Sequence, residues 1–217
     1  PVDPSTNKES MNVSMMTYQT YKDEEKTEVD KSYNYVNVTA VKSTAHTSLE
    51  YTLPNIMSNC YYNIYLVTCP DTRTHLSTWF NVDYRVQNEK GTFPTSAVFF
   101  ENPRPITADS PIEAVDQLLK SHPERAFASN PEKVDTILIQ TGISFPYSGV
   151  GLDEGVVKFN ISSVGSSSSN YREKVYTRTL RLNEIILIPF ETKEEAEAAA
   201  DDLDAFNDVI LEANKEK

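Results

Sequence analysis

The residues able to do chemistry are few and scattered. His46, His75 and His122 stand singly, with no His-x-x-x-His spacing and no adjacent cysteine. Zinc needs three or four convergent ligands, so no metal site is expected. Asp201-Asp202-Leu203-Asp204 has the acids of a cation loop but lacks its turn glycine, and it falls in a helical pattern that splays the side chains. Gly149-Val150-Gly151-Leu152-Asp153-Glu154-Gly155 has neither the spacing nor the βαβ setting of a dinucleotide fingerprint. No Gly-x-Ser-x-Gly elbow occurs, and Ser166 to Ser169 read as a hairpin tip rather than a nucleophile. Asp153 and Glu154 are adjacent carboxylates of the sort any acidic chain carries, whereas a glycosidase pair needs a cleft. These residues point to no enzyme and no cofactor.

The feature above that background is aromatic. In the run 78–86, Phe80, Val82, Tyr84 and Val86 alternate onto one face, which leaves Trp79, Asn81, Asp83 and Arg85 on the other. Tyr147 and Tyr171 lie in or beside loops. A flat indole among hydrogen-bonding groups of both signs suits a sugar, which offers hydroxyls at its rim and C–H groups on its face. Trp79, Asn81, Asp83, Arg85 and Tyr147 are therefore the candidate ligand-binding residues. Two other readings stand beside this one. Trp79 can be covered by the segment 101–133, or it can be a hot spot for a protein partner, where Trp and Arg are enriched.

The elements that must position these residues are mostly strands. Tyr61 to Cys69 is dense in Tyr, Ile, Val and Thr, which suit a pleated surface. Tyr62, Ile64 and Leu66 share one face and Asn63, Tyr65 and Val67 the other, so both sides should be covered and the strand central. Further strands are expected over 11–20, 33–41, 49–53, 78–86, 95–100, 134–139, 157–161 and 175–189. The apolar phase of the last slips near Asn183 and Glu184, which predicts a β-bulge. Lys22 to Lys31 reads as a charged loop.

Prolines at 103, 105, 111, 123 and 131 interrupt the rhythm around a short helix near 110–121, with Ser110 and Glu113 as its capping box. Thr192 and Glu195 form a second box for a helix over about 193–214. Ala196, Ala199, Leu203, Phe206, Ile210 and Ala213 make one narrow apolar stripe along it. That helix either packs on its own sandwich or docks on another chain. The expected fold is mainly β, a jelly-roll-like antiparallel β-sandwich with a short inserted helix and a C-terminal helix. Its parts are a linker or cut boundary at 1–10, the sandwich at 11–190, and an acidic amphipathic helix at 191–217.

The 217 residues carry a net charge of −12, and ten acids against three bases lie in residues 191–217. Binders of nucleic acid neutralise phosphates with Lys and Arg, and anionic lipid likewise attracts basic segments. Neither partner is expected. No run of about 18 apolar residues exists. Cys60 and Cys69 fall on one strand, about 30 Å apart against the roughly 5.5 Å that a disulfide requires, so they should be free, reduced and buried. Asn12, Asn37 and Asn160 begin glycosylation triplets, which are common by chance.

Tyr51-Thr-Leu-Pro-Asn-Ile-Met-Ser58 and Tyr62-Asn-Ile-Tyr-Leu-Val67 resemble a segment of Bacteroidetes-type surface lipoproteins that carry fasciclin-like domains. Asn130 to Ile139, Phe145-Pro146 and Tyr176 to Pro189 look like later parts of the same region, and the last strand resembles the closing strand of galactose-binding-like jelly rolls. The resemblance implies a non-catalytic module on the outer-membrane cell surface, exported and held by a lipid anchor on preceding sequence. It implies glycan binding or, alternatively, a structural or adhesive role with a surface protein partner. It supplies no binding residues.

Overall fold

The computed structural model describes residues 11–40, 47–102, 126–146, 154–163 and 177–200. Their ten strands are β1 (Met11–Tyr21), β2 (Val29–Ala40), β3 (Ser48–Met57), β4 (Tyr61–Thr68), β5 (Trp79–Val86), β6 (Val98–Phe99), β7 (Ala126–Ala128), β8 (Asp135–Ile143), β9 (Glu154–Ser163) and β10 (Leu180–Phe190), followed by α1 (Lys193–Ala200). Two antiparallel sheets form a β-sandwich. The first has the order β1-β2-β10-β4-β8; the second has β3-β9-β5-β6, with β7 also paired to β5.

Alternation decides which side chains meet between the sheets. Val36, Val38, Ile64, Leu66, Leu180 and Leu182 from the first sheet face Leu49, Leu53, Phe80, Val82, Phe159 and Ile161 from the second. At one end the core is aromatic. Tyr84 stacks on Phe100 at 4.7 Å and meets Phe145 edge-on at 5.3 Å, and Phe159 closes the group, in the offset and T-shaped geometries that ring quadrupoles favour.

As expected, β4 is an interior strand, paired with β10 and β8, although β10 takes the middle of the sheet. β4 is covered on both faces, by the core on one side and by α1 on the other. Asn63 donates to the Ala196 carbonyl at 2.7 Å and accepts from the Gly142 amide at 3.0 Å. Gly142 holds φ +61°, and a Cβ there would stand 2.9 Å from Lys193 Cγ, so glycine lets the helix approach β8. Over its described turns the helix therefore packs on its own sandwich. The remainder, like the short helix near 110–121, lies outside the described residues.

Residues 29–31 belong to β2 rather than to a loop, since a long register holds β1 and β2 together from Met11↔Ala40 to Thr20↔Lys31. β7 lies in the proline-rich segment 101–133, beyond the short helix read near 110–121. The strand read over 95–100 shrinks to two residues, and in the described residues the last begins at Leu180. Both cysteines are free and Cys69 is buried, but Cys60 precedes β4 and is half-buried. Burial pushes the Cys69 thiol up to about 12, with Arg181 opposing. The bulge appears as a register shift between Leu182 and Glu184. The capping box closes, with Glu195 N–H donating to Thr192 Oγ1 at 3.2 Å and Thr192 N–H to Glu195 Oε2 at 3.3 Å.

Candidate functional site

The outward face of the second sheet is built from the residues that alternation turns away from the core. β3 contributes Glu50 and Thr52, β9 Lys158 and Asn160, and β5 Trp79, Asn81, Asp83 and Arg85. Pairing aligns them in rungs. Glu50 is opposite Asn160, Asn160 opposite Asp83, and Asp83 opposite Phe99 of β6. The next rung holds Thr52, Lys158 and Arg85. Paired residues of a sheet point to one side, so a row of carboxylate, amide, carboxylate and phenyl crosses four strands.

The polar groups hold one another in place. Lys158 Nζ lies 2.8 Å from Glu50 Oε1, and Arg85 Nη2 lies 3.9 Å from Glu50 Oε2. These three side chains keep about a third of their surface open, at 30%, 32% and 27% for Lys158, Arg85 and Glu50. Asn160 Nδ2 donates to Asp83 Oδ2 at 3.1 Å. Lys158 Nζ also stands over the Phe93 ring, 4.7 Å from its centroid. Asp83 itself is buried, and burial raises its pKa above the ordinary carboxylate value. The Asn160 hydrogen bond and the Arg85 charge pull it back, while Glu50 adds to the rise.

Of the residues expected from sequence, Asn81, Asp83 and Arg85 do share this face. Trp79 shares it too but is only 7% exposed, so it offers no open ring for a sugar to stack on. The reading of Trp79 as a stacking platform is corrected: a large apolar ring on an outer face leaves water where it can. Phe99 of β6, on the same face, keeps 40% of its surface exposed. Tyr147 lies outside the described residues. Glu50, Lys158, Asn160 and Phe99 were missed because they reach β5 only through long-range pairing. The alternation of Val157, Phe159 and Ile161 would have placed Lys158 and Asn160 outward.

A second polar cluster lies on the outer side of the first sheet. Arg181 Nη2 meets Asp71 Oδ1 at 3.1 Å, Arg181 Nη1 donates to the Pro70 carbonyl at 2.6 Å, and the guanidinium lies 5.8 Å from the Tyr35 ring centroid. Both charges are almost fully buried. Asp71 also accepts from the Arg73 amide at 3.1 Å, and its own carbonyl accepts from the His75 amide at 3.0 Å. The pair thus pins the turn after β4 to β10. The neighbouring cavity, lined in part by Thr68, Thr78, Ser129 and Arg181, measures about 10 Å³. That is room for one water and not for a sugar.

Among the described residues no three His, Cys, Asp or Glu side chains converge as metal ligands. None of the described helices is long and apolar enough to cross a membrane. Two glycosylation triplets are engaged in the fold, because Asn37 is buried and Asn160 is bonded to Asp83.

No protein-family model matches the chain, and no curated protein matches it. Solved structures do resemble it. The CBM22-2 xylan-binding domain of Paenibacillus barcinonensis Xyn10C is 6% identical with a TM-score of 0.41, over 87% of this chain and 99% of that one. A xylan-binding domain from CBM 22 is 10% identical at 0.39, over 84% and 88%. TmCBM61, solved with β-1,4-galactotriose, is 11% identical at 0.31, over 88% and 89%. Likeness at these scores assigns this chain neither a ligand nor a binding residue.

Proposed function

We propose that this chain is a non-catalytic glycan-binding module and that the outward face of the second sheet holds the sugar. One observation carries the reading: the rung Glu50–Asn160–Asp83–Phe99, flanked by Lys158 and Arg85, sets donors, acceptors and a part-exposed phenyl ring on one side of one sheet. A sugar hydroxyl both donates and accepts, so it can bridge a carboxylate and a cation that already face each other. The Glu50 carboxylate has lone pairs beyond those that Lys158 occupies. Phe99 supplies the apolar surface for a sugar's C–H face, the part first given to Trp79.

A glycan array with the 217-residue chain, followed by calorimetry on any hit, tests this. Phe99→Ala should weaken binding at least tenfold, about 1.4 kcal/mol, with little change in melting temperature because the ring is 40% exposed. Silence across the array, or full affinity in Phe99→Ala, overturns the assignment. The setting we propose is that of an exported surface module, held through a lipid anchor on preceding sequence. It is supported by the resemblance of residues 51–58, 62–67, 130–139, 145–146 and 176–189 to surface lipoproteins. Protection of the module from protease added to intact cells would refute it.

A further inference from the structure

A sheet has two edges, so two sheets offer four strands whose outer backbone groups can pair with another chain. Three are blunted here. β3 carries Pro54, with a register shift between Leu53 and Ile56 and Asn55 at φ +60°; proline and bulges stop strand addition. The edge beyond β5 is shared by β6 and β7, two and three residues long. β8 is flanked by α1, which packs across Gly142.

β1 has none of these devices. Among the described residues its only strand partner is β2. It runs eleven residues from Met11 to Tyr21 with no charge, no proline and no register shift before Thr20. It is also open on both faces: Val13 and Met15 are 42% and 68% exposed on one side, and Met16 is 43% exposed on the other.

We propose that β1 pairs antiparallel with β1 of a second copy of this chain, joining two five-stranded sheets across a two-fold axis. This uncharged edge is where two copies of the acidic chain can meet with least repulsion. A chain of net charge −12 repels its own copies, and β1 brings no charged side chain to the contact. The acid-rich turn from Lys22 to Glu28, where Lys22 and Glu28 form an ion pair, follows the strand's end. In an antiparallel dimer the two turns lie at opposite ends of the seam.

Among the registers that keep each side chain on its own face, the Met16–Tyr35 contact selects one. With the axis at Met16, Met16 faces Met16, Met15 faces Thr17, Ser14 faces Tyr18 and Val13 faces Gln19. Each pair then keeps its own face, as a two-residue period requires. Tyr35 is the rung partner of Met16 on β2, and its hydroxyl lies 3.7 Å from Met16 Sδ. The row Tyr35–Met16–Met16–Tyr35 would therefore run unbroken through both copies. A two-fold contact of this kind is self-complementary and closes on itself.

Sedimentation equilibrium on the full chain tests the proposal. An interface of one strand pair is smaller than a standard stable one, so dimerisation with a Kd on the order of 10 µM is expected. Met16→Lys puts two like charges face to face at the axis and should weaken the dimer at least tenfold. Val98→Lys, at the equally exposed β6, should leave it unchanged. Melting temperatures close to wild type show that both variants are folded. A chain that stays monomeric above about 100 µM overturns the proposal. So does a dimer that Met16→Lys leaves intact, or one that both variants weaken alike. Glycan binding by Met16→Lys reads the second-sheet face separately, so either assignment can fail without the other.

Discussion

Two charged clusters, one on each sheet, contain the same chemistry in opposite settings. Arg181 and Asp71 show 6% and 3% of their side-chain surface, while Glu50, Lys158 and Arg85 each keep about a third of theirs. The closed pair is spent on structure, since its hydrogen bonds go to Pro70, Arg73 and the turn that follows. The open cluster rests on strands that would hold their course without it. Its groups keep the solvent access through which a ligand could reach them. Burial, rather than residue type, separates a structural ion pair from a candidate site here.

The largest predicted effect breaks the closed pair. Asp71→Ala leaves the Arg181 charge buried without its counter-ion, which typically costs about 3–5 kcal/mol. Urea denaturation should show that loss, and Asp71→Leu combined with Arg181→Met should recover much of it, since apolar replacements of buried pairs are often neutral. A loss below about 1 kcal/mol, the scale of an exposed pair, would mean that the two clusters do not differ as described.

Asn63→Ala comes next. It strips partners from the Ala196 carbonyl and the Gly142 amide, both buried. An unsatisfied buried group costs about 1–3 kcal/mol. The destabilisation should shrink in a chain truncated after Phe190, because one of the two partners leaves with α1 while the Gly142 amide remains. Equal losses with and without the helix would show that Asn63 does not fasten it.

Glu50→Ala is the open counterpart. It should cost less than about 1 kcal/mol of stability and yet weaken any glycan found on the array. A stability loss as large as that of Asp71→Ala would make Glu50 a structural residue as well.

How far the sequence could reveal these clusters follows from the range of the interactions. The faces of β4 and β5, the bulge near Asn183 and the Thr192–Glu195 box are local patterns, and they appear where alternation and capping rules put them. Asn81, Asp83 and Arg85 were legible for the same reason. The rung Glu50–Asn160–Asp83–Phe99 joins residues up to 110 positions apart and depends on strand order, which no single strand encodes. Trp79 shows a different limit. Alternation gave its face correctly but says nothing about what covers that face. Arg181 and Asp71 were invisible because a lone charge in a strand and one in a turn carry no sign that they will meet.

The smallest effect concerns Asp83, which sits between the two cases: its side chain is buried, but on the outward face. Desolvation raises its pKa, against the pull of Asn160 and Arg85. A raised carboxyl pKa means that the fold favours the protonated form. Asp83 therefore places no electrostatic penalty on the fold below its unfolded pKa near 3.8, and the penalty develops as pH rises through the folded value. Asp83→Asn keeps the shape, can still accept from Asn160, and removes the ionisation. The variant should melt slightly higher than wild type at pH 7, with the difference shrinking as pH falls below the folded pKa. Melting curves from pH 3 to 8 would measure it. A variant less stable than wild type at neutral pH would show that the Asp83 charge supports the face, through Asn160 and Arg85, more than burial opposes it. Asp83 would then belong with Arg181 and Asp71 among the charges that hold the fold together.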